Sequence, residues 1–529
     1  MPVKSAAVSV RASMKDRWEN RPRPWFAYAI FVAIAASYFY AFMRTLPQVS
    51  DEGTLISGAE RVIQGQTPYR DFFEIMGPGT FYWLALFFRI WGVSWLATRI
   101  EVMVTSLATA LLLYFLSRRM NLRYPFLPAV LFFGTAFGLL WPAVSHHGDS
   151  NLFALLAFAV FVVWLEKRLW FLLPLSGALA GVTTCFMQPK GALLLVAFCA
   201  SVWLLNRKEG RAFLHLACLA AGYALVLMMA AGYFWHRHAL PGLIYATITF
   251  PMMEYSGVNS VPYGMGLFSF YGHRWAAVLS ESFSPALGYP ITTFLLIPFI
   301  AVALLPALLL AIAVWGRKQA FSREAVPYWL CGFAVWFSEL HRKDIMHLVY
   351  GSSLLLILCC SLYEEILGSR IRNWLSSLTV FATALALVNF LVVLTAQTKI
   401  ETRRGSAYAY RSDEVLALLN ANIKPGEETF VYPYRPLYYF LLNAPNATRY
   451  SLLMQGYNTG SQFQEVLKEL ENKKVCHVVW DATVAQNMAW AFPQAPAKAA
   501  LLEPYLQTHY RVIDSREGVR LLERNAKCR

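Results

Sequence analysis

The sequence predicts a mostly α-helical, polytopic membrane protein of about 11 spanning helices that ends in a small α/β domain. Three observations carry this. Of 529 residues, 57% are hydrophobic and only 15% charged, where a soluble chain carries roughly 25%. Apolar runs of bilayer-crossing length recur along most of the chain, and Lys and Arg gather in every second loop between them. Past residue 397 the long apolar runs stop.

The runs lie near 25–43, 93–116, 125–143, 151–165, 169–187, 191–205, 212–234, 291–315, 326–340, 345–366 and 374–396. The fourth, sixth and ninth fall short of the roughly 17–25 residues a span needs. The first has a basic flank but no small-residue cleavage pattern after it, so it reads as an uncleaved anchor. Basic clusters mark the cytoplasmic side: Lys4 to Arg23, Arg118 to Arg123, Lys167 and Arg168, Arg207 to Arg211, Arg317 to Arg323, Arg370 and Arg372. The loops between them, and the C-terminal segment, then face outward across a plasma (inner) membrane. The net charge of +15 lies largely in these clusters, which anchor topology and attract anionic lipids; nucleic acid is not the implied partner.

Residues 1–396 form the membrane domain and 397–529 a small extracytoplasmic α/β domain. In the first, Leu55 to Gln64 and Thr80 to Ile90 read as amphipathic helices lying near the interface. Segment 235–290 reads as a long, Gly- and aromatic-rich loop region. In the second, Thr429 to Tyr434 and Val475 to Trp480 read as strands. Ser461 to Glu471 has helical spacing, a further helix falls near 497–507, and 510–523 reads as a hairpin turning at Glu517-Gly518. Six cysteines fall in or beside spans, where thiols behave as small apolar groups. Cys476 and Cys528 lie in the exported tail, where they could pair.

Outward-facing polar residues gather at four places. The first is an acidic loop holding Asp51, Glu52, Asp71 and Glu74, with Gly53, Gly65, Pro68-Tyr69 and Gly77-Pro78-Gly79 around them. The second is Ser145-His146-His147-Gly148-Asp149, the third Gln188-Pro189-Lys190-Gly191, and the fourth Glu339 to Asp344 followed by His347. The spans themselves read as nearly free of charge. Anionic headgroups repel acids and burial penalises them, so an acidic loop at a membrane surface implies a use. Acids could receive a proton from a hydroxyl acceptor while cations hold a phosphate.

The order Asp51-Glu52-Gly53, helix, Gly65-x-x-Pro68-Tyr69-x-Asp71-Phe72, Gly77-Pro78-Gly79 resembles the first outer loop of GT-C glycosyltransferases. These include the protein O-mannosyltransferases, the lipid A aminoarabinose transferases and the rhizobial lipopolysaccharide sugar transferases. Lys190-Gly191 resembles their lysine-glycine step, and His341-Arg342-Lys343-Asp344-x-x-His347 a later outer loop. The resemblance implies a GT-C fold and an inverting glycosyltransferase. Its donor would be a polyprenyl-phosphate-linked hexose or pentose, and its acceptor a glycan, lipid or protein. An acid of the first loop would act as base: Asp51 first, Glu52 second.

Each residue also has a plainer reading. Asp51 or Glu52 would cap the helix beginning near Leu55. Asp71 and Glu74 would bind the acceptor, help hold a metal, or order the loop through Arg70. Lys190 would bind the donor phosphate or snorkel to the interface. Arg342 and His347 would bind phosphate or be ordinary loop charges. His146, His147 and Asp149 would hold a divalent cation with the acidic loop, or support that loop through hydrogen bonds. No nucleotide-sugar fold, Gly-rich phosphate loop or DxD triplet is present, so no cofactor is implied beyond that possible cation. A transporter or flippase of lipid-linked saccharides is the alternative; it would place ionisable residues inside the spans.

Overall fold

In a computed structural model of the chain, the described residues are 25–43, 45–46, 50–137, 143–207, 210–255, 261–273, 276, 280, 284–315, 321–366, 369–395, 397–409, 412–484 and 502–526. The N-terminal basic cluster, Lys4 to Arg23, lies outside them.

A helical bundle makes up the first three-quarters of the chain. Helix α1 (Trp25–Tyr40) leads through α2 (Ser50–Ile63) and α3 (Gly79–Trp91) to the long α4 (Trp95–Arg119). Then come α5 (Leu127–Ala136), α6 (His146–Lys167), α7 (Leu172–Phe186), α8 (Gln188–Asn206) and α9 (Ala212–His236), with α7 packed between α6 and α9. Serines start two of these helices: the Ser94 and Ser145 hydroxyls accept from the backbone N–H of Ala97 and His147. On α9, Phe213, Leu214, Leu225, Met228 and Met229 are exposed, as a lipid-facing helix requires.

Among the described residues, five helices are long and apolar enough to cross a bilayer: α4, α6, α8, α9 and Ala286–Ala303. Shorter apolar helices include α1, α5 and α7. The run at 291–315 is broken into Pro285–Leu295, Ile297–Ala303 and Leu305–Trp315. Pro298 and Pro306 follow the breaks; each lacks the N–H that would continue the preceding helix, so each opens a new one. After α10 (Ala325–Glu339), the run at 345–366 splits into α11 (Ile345–Gly351) and α12 (Ser353–Ile366), bent by 67°. Helix α13 (Ser369–Thr395) closes the bundle. The expectation of nearly charge-free spans fails at α4, where Arg99 and Glu101 are both buried; both find polar partners, which is why the span tolerates them.

The C-terminal part begins with the hairpin β1 (Thr398–Thr402) and β2 (Gly405–Ala409). It is tied to the bundle by backbone bonds from Leu46 N–H to the Tyr408 carbonyl (2.7 Å) and from Trp95 N–H to the Arg404 carbonyl (2.8 Å). Beyond it lie α14 (Glu414–Asn422), β3 (Thr429–Tyr432), α15 (Leu437–Leu441), α16 (Gly460–Lys473), β4 (His477–Asp481), α17 (Leu502–His509), β5 (Tyr510–Arg516) and β6 (Val519–Arg524). The sheet order is β3-β4-β6-β5. Strands β3 and β4 are parallel, as a helical crossover such as α16 permits, and a capping box between Thr459 and Gln462 opens that helix. The β5–β6 hairpin turns at Glu517-Gly518, as its sequence suggests. Cys476 is disulfide-bonded; Cys528 lies outside the described residues.

Candidate active site

Helix α2 starts at Ser50, several residues earlier than its apolar pattern suggested, so Asp51 and Glu52 lie within its first turn. Consecutive helical residues point about 100° apart, and this separates the two acids. Glu52 is buried against the guanidinium of Arg99 and accepts the backbone N–H of Val144 at 2.8 Å. Burial pushes its carboxyl upward, although Arg99 and Val144 work the other way. Arg99 also lies 4.2 Å from the Trp95 ring. Asp51 is exposed and accepts the phenol O–H of Tyr434, from the C-terminal part of the chain. Both side chains therefore have partners other than the end of α2.

Gly53 makes that meeting possible. A Cβ there would fall 2.2 Å from the backbone nitrogen of Leu437, so only glycine lets α2 lie directly on α15. Other bonds close the same seam. Arg61 donates to the Thr448 carbonyl (3.1 Å), and Phe73 N–H donates to the Arg449 carbonyl (2.9 Å).

The other two acids of this loop differ in kind. Asp71 is held by Arg70 (2.7 Å) and by the backbone N–H of Thr67 (2.6 Å). Its hydrogen bond from Arg70 is the main reason its carboxyl stays below the usual range, and its side chain serves to order the loop. Glu74 is buried, and burial pushes its carboxyl up to about 8. A bond from Ser451 and the charge of Arg61 oppose that shift, while the charge of Asp51 adds to it. Glu74 thus lies within electrostatic reach of Asp51 as a protonated acid at neutral pH.

The cationic residues form a second cluster. Lys190 is fully buried near the start of α8. Its ammonium is 2.7 Å from Glu339 Oε1, donates to Ser150 Oγ at 2.8 Å, and lies 3.4 Å from the His147 carbonyl. It does not snorkel. Gly191 beside it is required by contact, since a Cβ would meet the Ala180 carbonyl oxygen at 2.4 Å. Glu339 Oε2 is 2.8 Å from His147 Nδ1. A cation at a helix start and a carboxylate at a helix end both oppose the helix dipoles; Lys190 and Glu339 offset each other. His347 Nδ1 is 2.8 Å from Asp344, which also caps α11 and lies 2.6 Å from Arg342. Burial pushes Asp344 upward, but His347 and Arg342 outweigh it and leave the carboxyl well below its usual range.

The expected grouping of His146, His147 and Asp149 with the acidic loop does not form. His147 turns to Glu339 and His347. His146 lies against His147, with ring centroids 4.0 Å apart and the rings tilted by 41°. Asp149 turns into the bundle, where it lies beside Glu101 and Thr80. Among the described residues, no hydrogen bond or ion pair joins Asp51 to Lys190 or His347. The clusters are linked indirectly, through Glu52 on the N–H of Val144 just ahead of α6. Sequence reading missed Tyr434 and Arg99. Arg99 had left a signal, a charge within an apolar run; Tyr434 had left none.

A helical membrane bundle, with an acidic first loop covered by a small α/β domain, is the GT-C fold. Two solved structures share it. One is ArnT from Cupriavidus metallidurans bound to undecaprenyl phosphate, with 12% identity and a TM-score of 0.57 over 95% of this chain and 98% of that one. The other is the same protein in the apo state, with 13% identity and a TM-score of 0.56 over 94% and 97%. No protein-family model matches the sequence, and no curated protein does.

Proposed function

We propose that the chain is an integral-membrane inverting glycosyltransferase. It takes a sugar from a polyprenyl-phosphate donor and places it on a glycan, lipid or protein acceptor at the outer face of the membrane. The GT-C fold and the undecaprenyl phosphate carried by the ArnT structure support the donor class.

The observation that carries the reading is the exposed Asp51 carboxylate at the seam between α2 and the C-terminal domain, held by the Tyr434 hydroxyl. Of the two adjacent acids, Glu52 is occupied by Arg99, which leaves Asp51 to act as base. Asp51 takes the proton of the acceptor hydroxyl. The freed oxygen pair attacks the anomeric carbon from the side opposite the phosphate, the carbon–oxygen bond to phosphate breaks, and polyprenyl phosphate leaves with that electron pair. General-base assistance of this kind contributes about 10²–10⁴ in rate. Glu74, protonated and near Asp51, sets the local charge, and Asp71 orders the loop. Arg342 and His347, each partly exposed, stand nearest the donor phosphate. Lys190 reaches it only through Glu339, so its role is to hold that carboxylate in place.

Residues 397–529 form the extracytoplasmic domain of this reading, on the Asp51 side of the membrane, and the N-terminus is cytoplasmic. The test is sugar transfer in proteoliposomes from a panel of polyprenyl-phosphate sugars, comparing the parent with Asp51→Asn. Turnover in the parent and its loss in the folded variant supports the reading. Parent-level turnover in Asp51→Asn removes Asp51 as the base.

A further inference from the structure

Four imidazoles meet at the end of α10. Ring centroids of His147 and His347 are 4.5 Å apart, those of His341 and His347 5.2 Å, those of His147 and His341 6.1 Å, and His146 lies against His147 at 4.0 Å. Glu339 lies among them, buried. One ligand atom each from His147, Glu339 and His347 lies within 4.8 Å of the other two.

A hydrogen-bonded network uses both edges of an imidazole. Here His341 and His347 are bonded on one edge, through Nδ1, to the Ser338 carbonyl and Asp344 respectively, whereas His147 Nδ1 faces Glu339 Oε2 at 2.8 Å. Among the described residues, the opposite edges of His341 and His347 carry no protein hydrogen bond, and His147 offers Nδ1 as its ligating edge beside Glu339. The Asp344 contact on His347 Nδ1 matters most, because it fixes the tautomer and leaves Nε2 as the ligating edge. A carboxylate behind a histidine in this way is the usual support of a metal-bound imidazole. Glu339 is braced in the same sense, with Lys190 on Oε1 and Oε2 toward the imidazoles.

We infer that His147, Glu339 and His347 form a binding site for a zinc-type divalent cation, with one coordination position open. Two imidazoles and one carboxylate suit such an ion, and three protein ligands leave a fourth position for water or substrate. Tetrahedral zinc ligands sit about 3.3 Å apart, so the 2.8 Å His147–Glu339 contact opens by about half an ångström as the ion enters. With the ion bound, Lys190, Arg342 and the metal outweigh Glu339 and Asp344 in charge. The open position then favours an anionic oxygen, and a phosphate oxygen of the donor would take it; this last clause rests on the transferase reading above.

The full chain, purified in detergent, is stripped with chelator, equilibrated with zinc, desalted and analysed for metal. The parent is expected to retain about one zinc per chain, and His347→Ala and His147→Ala to lose it. Asp344→Asn keeps the helix cap and is expected to weaken binding about 10–100-fold. His347→Ala is the informative variant, since His347 is partly exposed and its loss leaves the Lys190–Glu339 pair intact; gel filtration checks its fold. No zinc in the parent, or parent stoichiometry in both histidine variants, overturns the site. Cobalt-loaded parent then reports the open position: a changed absorption spectrum with inorganic phosphate or with undecaprenyl phosphate supports it, a change with the lipid alone assigns it to the lipid, and no change with either removes that clause. None of these readouts needs turnover, so they stand or fall apart from the transferase reading.

Discussion

The hydroxyl of Tyr434 donates to the carboxylate of Asp51, across 383 positions of sequence. The contact fixes the C-terminal domain over the first turn of α2 and aims one acid of the adjacent pair at the seam. In the proposed reaction, Asp51→Asn keeps the side chain's shape and loses its basicity. Turnover is expected to fall about 10²–10⁴-fold with an unchanged melting temperature, because the side chain is exposed. Tyr434→Phe is expected to cost far less. Single-turnover transfer in proteoliposomes measures both.

Glu52 is expected to behave oppositely. Glu52→Gln leaves Arg99 buried without its counter-charge, and breaking a buried pair on one side costs about 3–5 kcal/mol. The variant should unfold at clearly lower temperature, and Glu52→Gln combined with Arg99→Met should recover part of the loss. Thermal unfolding of the four proteins in one detergent gives the coupling; additive losses would deny it.

Glu74 predicts a pH dependence of stability. Its folded carboxyl titrates near 8, raised by burial from an ordinary value near 4.5. Between those values the folded chain holds a proton that the unfolded chain has released, so stability falls as pH rises. The contribution of the neutral acid is fully present below 4.5 and gone above 8. Glu74→Gln should therefore flatten the melting-temperature profile across that window. Parallel profiles for parent and variant would refute the assignment.

Gly53→Ala tests the seam itself. A methyl group 2.2 Å from the Leu437 nitrogen cannot be accommodated by a side-chain rotation, because the atom it meets is backbone. The domain must lift from α2, breaking the Tyr434–Asp51 contact. Limited proteolysis of the C-terminal domain is expected to accelerate while the helical bundle stays intact. Unchanged cleavage would mean that α2 and α15 separate more easily than their packing implies.

Two failures of the sequence reading share a cause. The apolar pattern of α2 starts near Leu55, but Arg99 and Tyr434 hold the preceding turn in place and the helix extends to Ser50. The sequence suggests that the histidines of the second cluster hold a cation with the acidic loop or support that loop through hydrogen bonds. They turn instead to Glu339, which stood in view without a role. In both cases the partner was distant in sequence, and a local pattern carries no information about it.

What the sequence alone determined is the architecture: apolar runs long enough for a bilayer, acids gathered in one loop, and a terminal segment patterned for strands. These follow from the solvent each residue must meet, and solvent preference is a property of the residue and its neighbours. Only the tertiary structure decided which of two adjacent acids is buried and which is exposed, whether Lys190 reaches the surface, and which carboxylate the histidines surround. Those outcomes depend on pairing in a low-dielectric interior, where a single distant counter-charge or close glycine contact outweighs every local preference.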